Sequence, residues 1–540
     1  MSHRSISIST LSPVHIGCDE VYEPSNFVIT GGLLHTLDPA DLAAELSDAE
    51  RKQLVTLAEG REPIGPLQRF FRGNAVRFSG LTRHQVAVTD AIVCEYEKSA
   101  GRPTQRGPAG EATYNLFPIA RTAYRPFDNV PYLPGSSLKG SMRTAWLNHL
   151  NSGKALTGAD KADRRSASRL QERLLGYGAG KFEDDPFRHV MLADAHPEDE
   201  GTPPPTRVLY AISKKKRPPR EGERGSPELK VFLETLPDAL HAAFLGELRL
   251  SGKIEWSALC DACNKFYKPQ LEAELSHPVL GRVIDADWKT LIKGLLSVEL
   301  SELIAAHQGF LLRVGRHSGA ESLTLDGVRD IKILGPRVDG KQTSTLRSNT
   351  TEKRFASLTK SGSGDLLPFG WIWIDACDDA HRYLSEALGK KLSTRSAPLR
   401  EAHREQLYRL EESREQRVTA AIEAEKQKQF AQAAARAEAD AIAARQAALA
   451  TMSANFRRLE EFKVAFASRV EQLLGGYEKL NARFHTLARE LARDALAGAD
   501  WTVEEKHAAA DVIAEWLPQV VERIDKDQLK KLNLAALRAS

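Results

Sequence analysis

The sequence has no apolar segment long enough to cross a membrane. None of its hydrophobic runs approaches the roughly 18 uncharged residues that a spanning helix needs, and the N-terminal MSHRSISISTLSPVHIG lacks the apolar centre of a secretion signal. There are only five cysteines in 540 residues, which excludes a disulfide-rich secreted fold and is typical of reduced thiols. We therefore expect a cytoplasmic protein without a membrane segment.

A large excess of either charge is also absent. The chain has 75 Lys and Arg residues against 72 Asp and Glu residues, a formal net charge of +3 at pH 7. Hydrophobic residues make up 42% and charged residues 27%, which excludes a wholly disordered chain. A nucleic-acid site must therefore be a local patch, and the cluster Lys214 to Arg217 is one such patch.

Strand and helix periods alternate along the first 376 residues. Residues 5–10 repeat with a period of two, which predicts an opening strand. The spacing of leucines predicts a helix within 38–70, whereas 340–363 is a polar loop and 371–375 a buried strand. Strands separated by helices and long loops predict an α+β fold rather than a solenoid or an all-β barrel.

Glycine and proline are absent from Leu399 to Leu474. This Ala-rich, charge-balanced segment predicts a long helix, but apolar residues are too sparse over 411–450 for sustained coiled-coil heptads. Apolar density rises after Met452, so we predict a charged helical arm that leads to a small helical bundle. Gly389, Ser393 and Pro398 precede the arm, and because such residues mark turns, we predict a hinge there.

Residues 134–143 read PGSSLKGSMR and begin a helical run. A helix N-terminus presents free N–H groups and a positive dipole end, which favour a phosphate, and Ser136 or Ser137 is a candidate cap. Lys139 and Arg143 lie four residues apart and therefore share one face. The spacing of a nucleotide P-loop is missing. The alternative is an ordinary capped helix with two exposed cations.

A second glycine-rich turn, LLRVGRHSGAE, occupies residues 311–321. It contains Arg313, Arg316 and His317, and guanidinium groups match phosphate geometry; the alternative is a surface turn with incidental basic residues. His15, in the segment LSPVHIG, is a candidate RNA contact or general acid/base. A structural hydrogen-bonding role is the alternative for His15.

No catalytic or metal motif is complete. Cys260 and Cys263 have the spacing of zinc ligands, but without a second pair we interpret them as structural thiols. The acidic pairs Asp184-Asp185 and Asp378-Asp379 are interpreted as solvated loop carboxylates. There is no Ser-His-Asp or Cys-His signature and no dinucleotide fingerprint, so no cofactor is expected.

Four segments taken together resemble the RAMP superfamily of CRISPR effector proteins. They are LSPVHIG, YLPGSSLKGSMR, LLRVGRHSGAESLTLDGVR and LLPFGW, in that order. DPFRHVMLADA and VFLETL also match the strand patterns of that family. The first and third segments resemble in particular the Csm-type subunit at the crRNA 3′ end of type III-A complexes. The resemblance covers roughly residues 1–376 and does not include 399–540.

The resemblance implies an α+β fold with tandem ferredoxin-like (RRM-related) units and an all-α C-terminal extension. We place the first unit, with a helical insertion, at 1–180, the second at 181–395, and the arm and bundle at 396–540. The resemblance also implies RNA binding without catalysis. The implied RNA-gripping residues are His15 and two loop sets: Gly135, Ser136, Ser137, Lys139, Gly140 and Arg143 in the first, and Arg313, Gly315, Arg316, His317 and Gly319 in the second.

The partners that the resemblance implies are crRNA, a backbone RAMP subunit, other subunits of the type III effector complex and target RNA, with no membrane. Two other classes of function stay open. One is a RAMP endoribonuclease that processes crRNA with His15 or His317. The other is a coiled-coil adaptor, which depends only on residues 399–474.

Overall fold

A computed structural model describes most of the chain. The described residues are 2–23, 25–60, 64–99, 105–106, 112–113, 117–158, 160, 165–199, 201–218, 231–338, 340–362, 364–377 and 382–539. They form two compact units, Met1–Gln416 and Arg417–Ser540.

The strands are numbered in chain order. They are β1 (Ser2–Thr10), β2 (Gly17–Tyr22), β3 (Phe27–Thr30), β4 (Leu33–Thr36), β5 (Gln85–Val88), β6 (Gln105–Arg106), β7 (Ala112–Thr113), β8 (Ile119–Thr122), β9 (Val190–Leu192), β10 (His196–Pro197), β11 (Arg207–Lys215), β12 (Phe232–Thr235), β13 (Phe244–Leu250), β14 (Gly309–Arg313), β15 (Ile331–Val338), β16 (Lys341–Arg347), β17 (Glu352–Ser357), β18 (Leu367–Pro368) and β19 (Trp371–Ala376).

The α-helices are numbered in the same way. They are α1 (Pro39–Glu45), α2 (Asp48–Ala58), α3 (Ile64–Gly73), α4 (Ala75–Ser79), α5 (Asp90–Ser99), α6 (Gly135–Asn151), α7 (Ser166–Leu175), α8 (Trp256–Ser276), α9 (Ala286–Ser297), α10 (Glu299–Ala305), α11 (Arg382–Thr451), α12 (Ala454–Leu473), α13 (Arg483–Ala497), α14 (Val503–Val520), α15 (Lys526–Lys531) and α16 (Leu534–Ala539).

The opening strand lies near the middle of the main sheet, whose order is β10-β13-β1-β19-β14. β1 is antiparallel to both β13 and β19, and β14 is antiparallel to β19. Because the sheet is covered, serines of β1 are buried along with Ile6 and Ile8. Helices α6, α8 and α9 contribute to the same hydrophobic core.

The second sheet has the order β2-β8-β12-β11-β5-β4-β3, and β17 also pairs with β11. The β3–β4 hairpin turns at Gly31 and Gly32, whose φ values of 59° and 75° suit a two-residue turn. β11 and β17 run antiparallel, with Ser213 opposite Arg354 and Lys214 opposite Lys353. The predicted basic cluster therefore begins on a strand.

The α+β fold class and the all-α C-terminal extension are confirmed. The second unit has its own core, formed by α12 to α16, so the bundle predicted after Met452 is present. Each of the two large sheets of the first unit takes strands from both sides of residue 180, and the domain limits 1–180, 181–395 and 396–540 stay predictions. No helix in the described part of the chain is both long and apolar enough to span a membrane.

The predicted hinge before the arm is wrong. Gly389, Ser393 and Pro398 all lie inside α11, which begins at Arg382. The helix persists through them because its first turns are packed: Leu388 and Leu392 are fully buried in the main core. Burial of an apolar face outweighs the weak helix propensity of single residues.

Two expectations for local structure also need correction. The segment predicted as a polar loop, 340–363, contains β16 and β17, because β16 pairs with β15 through its backbone while all its side chains are exposed. Such a strand has no hydrophobic alternation to detect. The helical region 38–70 is divided into helices that begin at Asp38 and Ser47 caps and at Ile64.

Candidate nucleic-acid interface

The topology of the main sheet brings three loops to one place. β1 and β14 both flank β19, with Thr10 opposite Ile372 and Arg313 opposite Trp371. The ends of β1 and β14 therefore meet the start of β19. The loops that follow β1 and β14, and the turn that precedes β19, emerge together although they lie far apart in sequence.

Backbone hydrogen bonds join these loops. The Gly370 N–H donates to the Pro13 carbonyl at 2.8 Å, and the Val314 N–H donates to the Gly370 carbonyl at 2.8 Å. The Arg316 N–H donates to the His15 carbonyl at 2.8 Å. We call the segments 11–17, 314–319 and 368–371 the loop junction.

Gly315 is required by this junction. Its φ is +75°, and a Cβ at this position would lie 2.2 Å from the His15 carbonyl oxygen. A side chain here is therefore excluded both by conformation and by the approach of a backbone segment. Gly319, with φ +88°, is less tightly packed, because an added Cβ would lie 3.3 Å from the Glu321 carboxylate.

Two histidines lie inside the junction. His15 is fully buried, and its Nδ1 lies 2.7 Å from the Glu234 carbonyl oxygen. His317 has a left-handed backbone, φ +67°, and its ring centroid lies 5.4 Å from that of Phe369. In both rings Nε2 is buried without a hydrogen-bond partner in the described structure.

Both histidines are held neutral. Burial lowers the pKa of His15, and the nearby Arg316 lowers it further. Burial also lowers the pKa of His317, to about 3, with contributions from Arg354, Arg316 and His15. Each ring therefore has a neutral imidazole at pH 7, which donates through one nitrogen and accepts through the other.

The charged side chains at this surface are Arg316 and Arg354. Arg316 is exposed and Arg354 is partly exposed, and neither forms an ion pair with a described residue. Arg316 belongs to the junction, and Arg354 on β17 is near enough to His317 to lower the pKa of that ring. Two guanidinium groups without carboxylate partners form a local positive site that matches phosphate geometry.

The helix α6 begins one residue earlier than the serines that were predicted to cap it. Pro134 is the N-cap, and no side chain of the cap makes a hydrogen bond, so the predicted capping by Ser136 or Ser137 is wrong. The Gly135 N–H instead donates to the Asp194 carboxylate at 2.7 Å. An added Cβ on Gly135 would lie 2.6 Å from the Leu192 and Ala193 carbonyl oxygens. The carboxylate of Asp194 thus already occupies part of the predicted anion site.

The two cations of α6 differ in their surroundings. Arg143 forms an ion pair with Asp185 at 2.7 Å and lies over the Phe187 ring. Lys139 forms no ion pair with a described residue; burial and the nearby Arg143 lower its pKa. Ser136 and Gly140 are exposed on the same turns. Lys139 is therefore the more available cation.

Arg313 is placed differently from the rest of the predicted set. Its side chain is 1% exposed, donates to the Phe369 carbonyl at 3.0 Å and pairs with the Glu274 carboxylate at 3.2 Å. Its carbonyl accepts a hydrogen bond from the Ser141 hydroxyl at 2.9 Å, which joins α6 to the loop junction. Arg313 supports the junction from the core, and its guanidinium does not reach the surface.

The metal motifs considered above form no site within the part of the chain that the structure describes. The described residues contain no group of three or more His, Cys, Asp or Glu side chains that could hold a metal ion. Cys260 and Cys263 are buried, and burial raises the pKa of both thiols, which disfavours a thiolate ligand. Asp185 pairs with Arg143, and Asp378-Asp379 lie outside the described residues.

The sequence analysis did not find Arg354, Asp194 or Glu274. No motif surrounds Arg354, and only its place on β17, beside the end of the basic strand β11, brings it to the junction. Asp194 lies in the segment DPFRHVMLADA, but its role as the partner of Gly135 depends on contact across 59 residues.

Comparisons with known proteins agree with the resemblance. Residues 7–258 match the RAMP superfamily. The CRISPR system Cms protein Csm5 of Methanocaldococcus jannaschii is 23% identical over 145 residues, which are 26% of this chain and 30% of that protein. The chain thus matches less than a third of that relative's length.

Two solved structures are also similar. One is a chain of the cryo-EM structure of a Csm-crRNA-target RNA ternary complex in a type III-A CRISPR-Cas system, with a TM-score of 0.41, 15% identity, and coverage of 69% of this chain and all of that one. The other is the crystal structure of T. onnurineus Csm5, with a TM-score of 0.37, 15% identity, and coverage of 68% and 99%. This chain is therefore similar to the RAMP superfamily over residues 7–258 and, over part of its length, to Csm5.

Proposed function

We propose that the chain is a non-catalytic RNA-binding subunit of a type III CRISPR-Cas interference complex, which caps the 3′ region of crRNA in antiviral defence. The observation that carries this proposal is the loop junction. It presents Arg316 on a backbone fixed by Gly315, beside Arg354 of β17, and neither guanidinium has a carboxylate partner among the described residues. A rigid loop with unpaired guanidinium groups suits a phosphate backbone, because little entropy is lost when it binds.

In this proposal the residues have different roles. Arg316, Arg354 and Lys139 contact phosphates, and Gly319 lets the RNA backbone approach closely, while Gly315 holds the turn against the His15 carbonyl. The neutral ring of His317 offers a hydrogen-bonding nitrogen to a ribose or a base edge, and His15 supports the junction from the core. Ser136, Ser137, Gly140 and Arg143 line the start of α6 next to this path, and Gly135 and Arg313 support it from within.

The proposed partners are crRNA, a backbone RAMP subunit, other subunits of the type III effector complex and target RNA. The match of residues 7–258 to the RAMP superfamily and the similarity to Csm5 support these partners. The cytoplasm, where guide RNA and its complexes are found, is the proposed location.

A crRNA-processing endoribonuclease is the second candidate. The observation in its favour is the pair of buried histidine nitrogens, each without a hydrogen-bond partner in the described structure. A neutral histidine could act as a general base. Incubation of the purified chain with repeat RNA separates the two candidates: cleavage that is lost in both His15→Ala and His317→Ala favours the nuclease, and intact RNA favours binding alone.

The proposed function is tested by expressing the chain with its neighbouring subunits, purifying the complex and sequencing the RNA that copurifies. We expect guide RNAs of many sequences with wild type, and strong loss of RNA with the double variant Arg316→Ala/Arg354→Ala. Arg489→Ala, at an exposed arginine of the second unit, is the matched control. RNA recovery that is the same in all three proteins would contradict the proposal.

A further inference from the structure

A cavity of about 520 Å³ lies beside α8 in the first unit. It is lined by residues of α8, among them Lys265, Phe266 and Glu274, and by residues of other segments, among them Lys353 and Arg329. This volume lies within the roughly 300–1,000 Å³ that is usual for small-molecule sites. The cavity is separate from the exposed surface of Arg316.

The buried charges at this cavity do not balance. The carboxylate of Glu274 accepts hydrogen bonds from Arg313 at 3.2 Å and from the Trp371 indole at 2.9 Å, and it pairs with the Lys353 ammonium. The exposed fractions of the three charged side chains are 2% for Glu274, 1% for Arg313 and 12% for Lys353. Two buried cations thus share one carboxylate, which is unfavourable unless a further anion is present.

The other carboxylates of the wall do not supply that anion. Glu321 is bound by Lys216 at 2.6 Å and accepts the N–H and the hydroxyl of Thr350. Asp326 pairs with Arg329 at 2.8 Å. Each of these carboxylates therefore has its own cation.

One more cation of the wall is available. Lys265 is exposed and forms no ion pair with a described residue. Burial lowers the pKa of Lys353 to about 8, so its ammonium remains charged at pH 7. The cavity therefore has two positive charges more than its carboxylates neutralise, one buried and one at its edge.

We propose that this cavity binds the phosphate monoester of a nucleotide. A phosphate monoester carries a charge of about −1.5 to −2 at pH 7, which matches the excess. The cavity is larger than a phosphate, and the apolar residues Phe266, Pro269 and Leu280 give the rest of the ligand a surface to pack on.

Two sources can provide this group: a free mononucleotide or a phosphorylated end of an RNA strand. The cavity shares Lys216 and Asn349 with a neighbouring groove of about 940 Å³, which is lined by Lys215, Arg217 and Arg347. An RNA strand bound in this positive groove would bring its phosphorylated end to the cavity. The inference does not require guide-RNA binding at the loop junction, because a free nucleotide fills the cavity equally well.

The experiment is calorimetric titration of the full chain with AMP, inorganic phosphate and adenosine. We expect saturable 1:1 binding of AMP, weaker binding of phosphate and none of adenosine. Lys265→Ala should weaken AMP binding roughly fivefold, the loss of one charged contact. Lys268→Ala, on the same helix but outside the cavity and paired with Glu272, should leave the affinity unchanged.

Competition against labelled AMP then identifies the source. Displacement by RNA with a terminal phosphate, but not by RNA with hydroxyl ends, assigns the site to an RNA end; no displacement by either assigns it to a free nucleotide. Absence of saturable AMP binding, equal loss in Lys265→Ala and Lys268→Ala, or equal displacement by both RNAs would overturn the proposal. None of these results depends on Arg316 or on copurified guide RNA, so failure here is distinguishable from failure of the proposed function.

Discussion

The Arg316 N–H donates to the His15 carbonyl at 2.8 Å across 301 positions of sequence. This hydrogen bond fixes the turn after β14 against the loop after β1. It positions the guanidinium of Arg316 at the surface, while the ring of His15 stays in the core. The predictions below examine this contact, the side chains around it and the core that supports it.

Gly315→Ala should destabilise the first unit and weaken RNA binding. The left-handed backbone costs about 1 kcal/mol for alanine, and the contact with the His15 carbonyl oxygen adds to it, so we expect a loss above about 2 kcal/mol. Gly340→Ala is the matched control, since its φ of +76° is similar but no atom lies within 4 Å of the added Cβ. Denaturant unfolding measures both; equal losses would contradict the steric argument.

Lys139→Ala should weaken RNA binding, whereas Arg143→Ala should mainly lower the stability of the fold. Loss of Lys139 should weaken binding to all guide sequences equally and reduce the log–log salt slope by roughly 0.7 per lost phosphate contact. Arg143→Ala should instead lower the free energy of unfolding by about 1 kcal/mol, because Asp185 loses its partner. Filter binding at several salt concentrations and urea unfolding separate the effects. A sequence-selective loss with Lys139→Ala would count against phosphate contact.

Stability should fall as the pH is lowered from 7 towards 4. The folded-state pKa of His317 is lowered to about 3, so below about 6.5 the unfolded chain binds a proton that the folded chain does not. His317→Asn, which tolerates the left-handed backbone, should reduce this dependence. His149→Asn, at an exposed histidine, should leave it unchanged. The midpoints of urea unfolding are compared at pH 7.5 and 5.0 for wild type and both variants. If wild type and His317→Asn show the same pH dependence, His317 is not the source of the loss of stability.

Glu274→Gln should strongly destabilise the first unit. Burial opposes ionisation of Glu274, but Arg313 and Lys353 outweigh it and keep its pKa lowered. Without the carboxylate, two buried cations face each other, at a cost of about 3–5 kcal/mol. Glu272→Gln, on the exposed side of the same helix, should cost little. A stable Glu274→Gln protein would show that the cluster is not ionised as described.

A fragment that ends at Gln416 should be more stable than one that ends at Arg395. Arg395 pairs with Asp238 and Asp285, and Leu388 and Leu392 lie in the core. Ending the chain at 395 leaves these contacts on a frayed helix terminus. Thermal unfolding of both fragments tests this expectation. Equal stability of the two fragments would show that the folded unit ends before the arm, as the sequence analysis predicted.

Local pattern was sufficient for the α+β fold class. The opening strand and the bundle after Met452 follow from spacing and composition. Contacts between distant segments were not accessible in this way. Arg313 looked like a surface cation because Glu274, its partner, lies 39 residues away in the middle of a helix.

The same limit explains the error at the hinge. Gly389 and Pro398 have low helix propensity, and sequence alone contains no sign that Leu388 and Leu392 are buried against the sheet. β16 was missed for the opposite reason, since its pairing uses only backbone groups and leaves every side chain exposed.

The position of β19 between β1 and β14 sets an order of events during synthesis. The loop after β1 cannot acquire its contacts with Gly370 and Arg316 until the chain has grown past Trp371. At about 5–20 residues per second, the roughly 370 residues from Thr10 to Ala376 take about 20–70 s to make. During that interval β1 has an unpaired edge, and a nascent chain on the ribosome lacks the loop junction.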